Sequence, residues 1–302
     1  MKVGIIGYGA IGCLFASLLN RAGNDVVLIG NNLEKVKYLN NCGITLLDGN
    51  YEYNFKIPVF LDSEVEEIFD LIIIAVKAYN IISVVDILKR SIFKGTPVLS
   101  VQNGLGHIEV LLTAVQSLNL FIGVTTQGAM SLGVGKVKRC GKGEIFIAPI
   151  DRSNYELSKL ISDLFNRASI SSLVFDDYLV ILWSKLVINA GICPVSILSG
   201  LTNGEILANQ EWSNIMFAAS FEAQNVAKAL NIRLIFSDVK EVIKKVCIDT
   251  KDNVSSMLQD FRNGKPTEID FINGAIINTA CSLNIDTPIN LMLYKKVKSL
   301  SV

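Results

Sequence analysis

The residues Lys2-Val-Gly-Ile-Ile-Gly7-Tyr-Gly9-Ala-Ile-Gly12 decide the fold of the first half of the chain. A short apolar run of strand length leads directly into three glycines with the spacing G-x-G-x-x-G, and apolar residues at helical spacing follow. In such a context the first glycine makes a tight turn, the second lets a pyrophosphate approach the backbone, and the third lets helix and strand pack closely. The stretch therefore predicts the first strand, turn and helix of a dinucleotide-binding sheet.

The second predicted strand, Asp25–Gly30, ends without the acid that usually holds the 2′-hydroxyl of an NAD ribose. The chain continues instead with Asn31 and Asn32, and Lys35 follows one turn into the next helix. Nothing there repels a 2′-phosphate and one cation could meet it, which favours NADP(H). NAD stays open, because amide side chains also bond a bare ribose.

Further strands are predicted at residues 70–77, 96–103, 120–126 and 172–175, with a hairpin between Gly128 and Glu144 and a helix at 155–165. Ligands of open α/β sheets bind beyond the carboxyl ends of the strands, so Lys77 and Asn103 are predicted to lie near a nucleotide. The alternatives are a solvated strand end for Lys77 and a plain turn for Asn103.

The second half of the chain is predicted to be helical throughout. The expected fold class is therefore α/β, with an N-terminal Rossmann-type doubly wound sheet followed by an all-α C-terminal domain. The predicted domains are residues 1–176, which bind the dinucleotide, and residues 177–302, which bind the substrate and carry the catalytic group.

Lys185 is the only ionised side chain between Asp177 and Glu205. A stretch this apolar could cross a membrane, but Lys185, Asn189 and Pro194 lie inside it, and a central lysine is costly to insert. We expect a buried helix of a cytoplasmic protein with no membrane partner. An ammonium among apolar residues needs a partner or a function, unless it reaches back to the surface. Asn189 lies four residues further on and projects from the same helix face, as would position 193 if the helix continued.

Composition excludes several other functions. The chain has 302 residues, half of them hydrophobic, which is enough apolar material for two domains that each have a core. Its 28 basic side chains are balanced by 28 acidic ones, and this zero net charge argues against a nucleic-acid partner. The six cysteines are scattered without a Cys-x-x-Cys pair, so neither a metal site nor a disulfide framework is predicted. His107 is the single histidine, which makes catalysis by a histidine network improbable.

A second polar cluster lies near the C-terminus, in Asn253-Val-Ser-Ser256-Met-Leu-Gln-Asp260 and Lys265-Pro-Thr-Glu268-Ile-Asp270. Asn253 and Ser256 are three residues apart, the spacing of one helical turn, and Pro266 precedes an acidic first turn as at a helix start. The alternative is simple helix capping with solvated charges.

Together these residues resemble the ketopantoate reductase (2-dehydropantoate 2-reductase) family, over essentially the full chain. The segments that carry the resemblance are Gly7 to Gly12, Val76-Lys77-Ala-Tyr-Asn80, Gln102-Asn103-Gly104, Gly123-Val-Thr-Thr126, Trp183-Ser-Lys185-Leu-Val-Ile-Asn189, Asn203-Gly204-Glu205, Ser255-Ser-Met-Leu-Gln-Asp260 and Thr267-Glu268-Ile-Asp270.

The resemblance implies a role for each matching residue. Lys185 would be the general acid, and Glu268 would help to hold both the lysine and the nicotinamide ribose. The dinucleotide turn, the end of the second strand and the resemblance together give the expected cofactor-binding residues, which are Gly7, Gly9, Ala10, Ile11, Gly12, Asn31, Lys77, Asn103 and Glu268. The implied substrate-binding residues are Asn103, Lys185, Asn189, Asn203, Asn253 and Ser256. The implied reaction is the NADPH-dependent reduction of 2-dehydropantoate to pantoate in pantothenate biosynthesis, with a small 2-oxo acid as partner and a homodimer as one expected assembly.

The chain departs from the family pattern at two places. Cys193 stands before Pro194 where the family usually has asparagine, and a thiol is a poor hydrogen-bond donor. An arginine that the family commonly has near Asn31 is absent. Two rival functions therefore remain open: a related reductase of another 2-oxo acid or an imine, and a protein that senses NADP(H) without turnover.

Overall fold

The computed structural model describes residues 1–300, and its internal contacts divide the chain into two compact units. The first unit comprises Met1–Gln102 and His107–Tyr178. The second unit comprises Asn103–Gly106 and the residues from Leu179 onward. The division thus falls two residues beyond the predicted one, and a short segment from the first half of the chain belongs to the second unit.

The first unit alternates strands and helices. Its elements, in chain order, are β1 (Lys2–Ile6), α1 (Ala10–Arg21), β2 (Asp25–Gly30), α2 (Leu33–Cys42), β3 (Ile44–Asp48), β4 (Tyr51–Phe55), β5 (Val59–Leu61), β6 (Leu71–Ile74), α3 (Ile81–Leu88), β7 (Val98–Ser100), α4 (His107–Leu111), β8 (Leu120–Thr125), β9 (Gly128–Gly133), β10 (Lys136–Gly141), β11 (Glu144–Pro149), α5 (Tyr155–Arg167) and β12 (Ser171–Val174).

The main sheet has eight strands in the order β12-β11-β8-β7-β6-β1-β2-β5. Neighbouring strands are parallel except for the antiparallel pair β8 and β11. The strand order reverses at β1, where Ile6 pairs with Ile29 on one side and with Ile74 on the other. The apolar composition of these strands follows from their burial between helices. The predicted doubly wound sheet is confirmed, and its ligand-binding edge lies beyond Ile6.

A smaller sheet, in the order β4-β3-β10-β9, holds the predicted hairpin as β9 and β10. Its other two strands were not predicted, and neither were β5 and β11. Local signals are weak there, because Tyr51–Phe55 is an edge strand with mostly exposed side chains and β5 has only three residues. The parallel pairing of β10 with β3 joins segments that are far apart in the chain, so no local sequence pattern predicts it.

The second unit is all-α, as predicted. Its helices are α6 (Tyr178–Ser199), α7 (Asn203–Ala208), α8 (Gln210–Ala229), α9 (Val239–Asp249), α10 (Ser256–Arg262), α11 (Ala275–Ser282) and α12 (Pro288–Leu300), and a π-helical turn covers Asp270–Gly274. Helix α6 passes the length and composition test for a membrane span, but 78% of its most apolar window is buried. Such burial is that of a core helix.

Several elements begin or end differently from the prediction, and the strand predicted at 96–103 is confined to Val98–Ser100. The strand predicted at 70–77 ends at Ile74, because the chain then leaves the sheet for a 3₁₀ turn at Ala78–Asn80. Asn253 does not share a helical turn with Ser256, since α10 begins at Ser256 with Ser255 as its cap. The helix start expected after Pro266 is delayed, since the chain becomes helical only at Asp270, and there as a π-helical turn.

Candidate active site

The phosphate-binding turn follows β1, and each of its glycines has a distinct geometry. Gly7 has φ +110°, a conformation that favours glycine, and its N–H donates to the Ile29 carbonyl at 2.8 Å. A Cβ on Gly12 would lie 1.9 Å from the Gly7 oxygen, so helix α1 could not pack as closely. A Cβ on Gly9 would meet nothing within 4 Å. The space above Gly9 is therefore open to a ligand.

The N-terminus of α1, at Ala10 and Ile11, is suited to an anion. No side chain caps it, and its first turn contains no acidic residue. The first N–H groups of a helix have no partner within the helix, and the helix dipole places partial positive charge there. A pyrophosphate in the open space above Gly9 would satisfy these donors, so the turn fits the predicted dinucleotide.

The end of β2 has an unexpected acidic neighbour. A Cβ on Gly30 would lie 1.8 Å from the ring of Tyr8, so a larger residue there would displace that ring. The Asp62 N–H donates to the Gly30 carbonyl at 2.9 Å, which places this residue just after β5 and beside the predicted ribose site. Burial raises the pKa of the Tyr8 phenol, a hydrogen bond with the Asn32 backbone lowers it, and the Asp62 charge raises it. Asn31 itself is exposed.

Sequence reasoning missed Asp62 because only the parallel pairing of β2 with β5 brings it beside Gly30. Lys35 lies in the first turn of α2, as predicted, and its N–H donates to the capping side chain of Asn32 at 2.9 Å. Lys77 is half-buried just before the 3₁₀ turn, and its carbonyl accepts from the side chain of Gln102 at 3.3 Å.

In the second unit the structure brings together two predicted site residues that are 165 positions apart. The Asn103 side-chain amide donates to the Glu268 carboxylate at 3.1 Å. Glu268 is only 3% exposed, and a buried carboxylate needs such donors. Next to it, Leu105 N–H donates to the Phe271 carbonyl at 2.9 Å, and a Cβ on Gly104 would lie 2.2 Å from the same oxygen. Asn103 and Glu268 are thus held by a close backbone contact.

Lys185 and Asn189 lie one turn apart on α6, and both are half-buried, whereas most of the helix is buried. They therefore share a face that leaves the apolar core. The sequence placed position 193 on the same face if the helix continued that far, and α6 does continue past it. Cys193 is nevertheless 3% exposed and belongs to the apolar core cluster of the unit.

Asn203 and Asn253 are adjacent, since the Asn203 N–H donates to the Asn253 carbonyl at 2.9 Å. The Asn203 side-chain amide donates to the Thr250 hydroxyl at 2.8 Å, and Thr250 is a contact that the sequence did not predict. Within residues 1–300 the buried Oδ1 of Asn203 has no hydrogen-bond partner. It is an acceptor that the hydroxyl of a ligand could satisfy. Ser256 is the exposed first residue of α10.

Fold and site together are those expected of a nucleotide-dependent oxidoreductase: an α/β unit carries a dinucleotide turn, and a helical unit carries a half-buried lysine, a buried carboxylate and several amides. Family models agree. The model for "Ketopantoate reductase PanE/ApbA" matches residues 3–152, and the model for the C-terminal part of the same family matches residues 177–301. The chain belongs to the ketopantoate reductase family, which confirms the resemblance.

Curated relatives cover almost the whole chain. A 2-dehydropantoate 2-reductase of Pyrococcus abyssi is 34% identical over 99% of this chain and 97% of its own length. One from Streptococcus pyogenes serotype M1 is 29% identical over 98% and 97%.

Solved structures include a ternary complex of D-mandelate dehydrogenase with NADH and anilino(oxo)acetate, with a TM-score of 0.93, 29% identity and coverage of 100% of this chain and 98% of that one. A PanE/ApbA family ketopantoate reductase from Ralstonia eutropha JMP134 has a TM-score of 0.89, 27% identity and the same coverage.

Proposed function

We propose that this protein reduces 2-dehydropantoate to pantoate in pantothenate biosynthesis, with a reduced nicotinamide nucleotide as hydride donor. The hydrogen bond between Asn103 and Glu268 carries the proposal, because it builds a buried polar site in the same unit as Lys185. The curated relatives named for this reaction, matched over almost their full length, support the choice of substrate.

When bound, the reduced nicotinamide supplies a hydride to the keto carbon of the substrate. Lys185 donates a proton from Nζ to the forming alkoxide, so the carbonyl gains one hydride and one proton. Glu268, held by Asn103, keeps the lysine and the nucleotide in place. The amides of Asn189, Asn203 and Asn253 and the hydroxyl of Ser256 bind the carboxylate and hydroxyl of the substrate.

We propose NADPH as the nucleotide. The exposed Asn31 and Lys35 support it, because neither repels a 2′-phosphate. Two observations favour NADH instead: an acidic residue, Asp62, whose backbone N–H bonds the Gly30 carbonyl, and the NADH in the structures of D-mandelate dehydrogenase. The two nucleotides therefore have to be compared in the same assay.

A second candidate is the reduction of another 2-oxo acid with an apolar side group. The absence of the amide that the family usually has at position 193 favours it, because Cys193 does not supply that donor to a polar substrate. The fold similarity to D-mandelate dehydrogenase, whose complex holds the aryl-substituted oxo acid anilino(oxo)acetate, points the same way.

Steady-state kinetics separate these functions. Oxidation of NADPH and NADH is followed with ketopantoate, with branched aliphatic 2-oxo acids and with a phenyl-substituted 2-oxo acid. The proposal expects the highest kcat/KM for ketopantoate with NADPH. A higher value for the phenyl compound would establish the second candidate, and tight nucleotide binding without turnover of any oxo acid would establish a sensor.

A further inference from the structure

Helix α6 contains a proline nine residues after Lys185. Pro194 has no N–H, so the carbonyl of Ala190, four residues earlier, lacks the donor that a helix normally provides. Ala190 is fully buried, where water cannot replace that donor. Its neighbour in the chain is Asn189, one of the proposed substrate-binding residues.

The side chain of Asn273 supplies the missing donor. Its Nδ2 lies 3.0 Å from the Ala190 oxygen, and the same amide also donates to Oδ1 of Asn290 at 2.9 Å. Asn273 and Asn290 are both fully buried. A buried amide with both donor hydrogens engaged has a single orientation, so it can hold the atoms it bonds in place.

The network continues to a carboxylate. Asn290 Nδ2 donates to the Ala219 carbonyl at 2.9 Å and to Oε2 of Glu222 at 2.8 Å. Glu222 also accepts the backbone N–H groups of Ile289 and Asn290, each at 2.9 Å, and so caps the first turn of α12. Asn273 is therefore fixed from α8 and α12, independently of α6.

Asn273 also lies five residues after Glu268, on the π-helical turn that follows it. The bond from Asn273 to Ala190 thus joins the segment that carries the buried carboxylate to the helix that carries Lys185 and Asn189. Neither Asn273 nor Asn290 has a role in the proposed chemistry.

We propose that Asn273 is a positioning residue: it stands in for the missing N–H of Pro194 and, through Ala190, holds Asn189 and Lys185 in register with Glu268. The inference rests on the proposed function for the roles of these three residues. The arrangement of α6 that it describes can be measured without turnover.

The test uses Asn273→Leu, which keeps the branched shape and the number of side-chain heavy atoms and removes the donor. We expect kcat for the preferred 2-oxo acid to fall between about tenfold and a hundredfold, because small displacements of reacting groups have effects of that size. The Kd for the nucleotide should stay within about twofold. Thr279→Val is the control, since it removes a side-chain bond to the Ala275 carbonyl on α11 and leaves α6 untouched.

Rescue by Pro194→Ala distinguishes positioning from packing. With a helical N–H at position 194, the Ala190 carbonyl no longer needs Asn273, so the double variant should recover at least about a third of the kcat of Pro194→Ala alone. A loss of more than tenfold between these two proteins would overturn the proposal. If Asn273→Leu alone does not fold, the comparison of Pro194→Ala with the double variant still tests the proposal.

Hydrogen exchange provides the readout that does not depend on activity. Backbone amides of residues 185–190 should exchange about tenfold faster in Asn273→Leu and return towards the original rate in the double variant. Unchanged exchange would overturn the positioning role even in an active enzyme. Faster exchange that Pro194→Ala reverses, in a protein that turns over no oxo acid, would support the arrangement while the proposed function fails.

Discussion

The glycines of the phosphate-binding turn show how single atoms set the site. Gly12 has no room for a Cβ, because one would lie 1.9 Å from the Gly7 oxygen, whereas Gly9 has open space in front of it. Gly12 is therefore needed for the packing of the fold, whereas the space beside Gly9 is available to a ligand. Lys185 likewise owes its availability to its position, since it is half-buried on a helix that is otherwise mostly buried.

We predict that Gly9→Ala leaves the fold intact and weakens nucleotide binding. The backbone at Gly9 has φ −73°, which alanine adopts, and the new methyl group meets no protein atom. It would occupy the approach to the pyrophosphate, so the Kd for the nucleotide should rise at least about tenfold, or about 1.4 kcal/mol. Fluorescence titration measures the Kd, and thermal unfolding should change by less than about 2 °C.

Gly141→Ala is the matched control, since a Cβ there also meets nothing within 4 Å and no role is proposed for it. Equal effects of the two substitutions on the Kd for the nucleotide would show that the nucleotide does not bind at the phosphate-binding turn.

We predict that Lys185→Ala lowers kcat by about 100-fold to 10,000-fold, the range for loss of a general acid. Nucleotide binding should persist, because the phosphate-binding turn belongs to the first unit. Stopped-flow turnover and nucleotide titration measure the two effects. Lys295→Ala, at an exposed position of α12, is the control. Near-normal turnover in Lys185→Ala would exclude the lysine from the mechanism.

At the scale of elements, the segment Asn103–Gly106 matters most. It follows a strand of the first unit and belongs by its contacts to the second. Its backbone N–H at Leu105 bonds the Phe271 carbonyl, while its amide at Asn103 bonds Glu268. A four-residue segment thus holds a buried carboxylate through one backbone bond and one side-chain bond.

Two glycines in this segment offer a matched pair. Gly104 has φ +83° and would place a Cβ 2.2 Å from the Phe271 oxygen, whereas Gly106 has φ +90° with nothing within 4 Å. Both alanine variants carry the strain of a positive φ, of about 1 kcal/mol, but only Gly104→Ala displaces the segment.

We predict that Gly104→Ala unfolds at lower urea than Gly106→Ala and loses at least about tenfold more kcat, because the bond from Asn103 to Glu268 is displaced. Urea unfolding and steady-state kinetics make the comparison. Equal activities in the two variants would show that this bond does not matter for turnover.

At the scale of the whole molecule, each unit has its own apolar core, and the reactivity of the buried cysteines can be used to test both cores. Cys13 lies in the core of the first unit and Cys247 in that of the second, while Cys42 and Cys281 are exposed. Burial raises the pKa of the Cys13 thiol to about 12 and that of Cys247 to about 11.

We predict that a thiol reagent at about pH 8 modifies Cys42 and Cys281 rapidly, and Cys13, Cys193 and Cys247 only on unfolding, because the thiolate is the nucleophile. The pKa values of Cys13 and Cys247 are higher in the folded state than in the unfolded state. Their contribution to stability is therefore complete below about pH 8.5 and is lost as the pH rises towards 11 and 12. Mass spectrometry of the modified protein gives the order, and rapid labelling of Cys13 or Cys247 in the native state would contradict the two cores.

The sequence alone determined what depends on neighbours along the chain. The phosphate-binding turn from Lys2 to Gly12 needs only a strand, three glycines and a helix in succession, and the single charge of α6 is visible in the composition of that helix. The apolar strands of the main sheet likewise predicted the α/β class of the first unit, and the helical spacing of the second half predicted the all-α class of the second.

Tertiary structure alone decided which distant residues meet. The bond from Asn103 to Glu268, the position of Asp62 beside Gly30 and the donation of Asn273 to Ala190 join segments that no periodicity links. Secondary structure follows from local backbone preferences and from the spacing of apolar residues, which a sequence displays directly. The partner of a buried polar group is chosen by the packing of whole elements, and that choice exists only once the chain has folded.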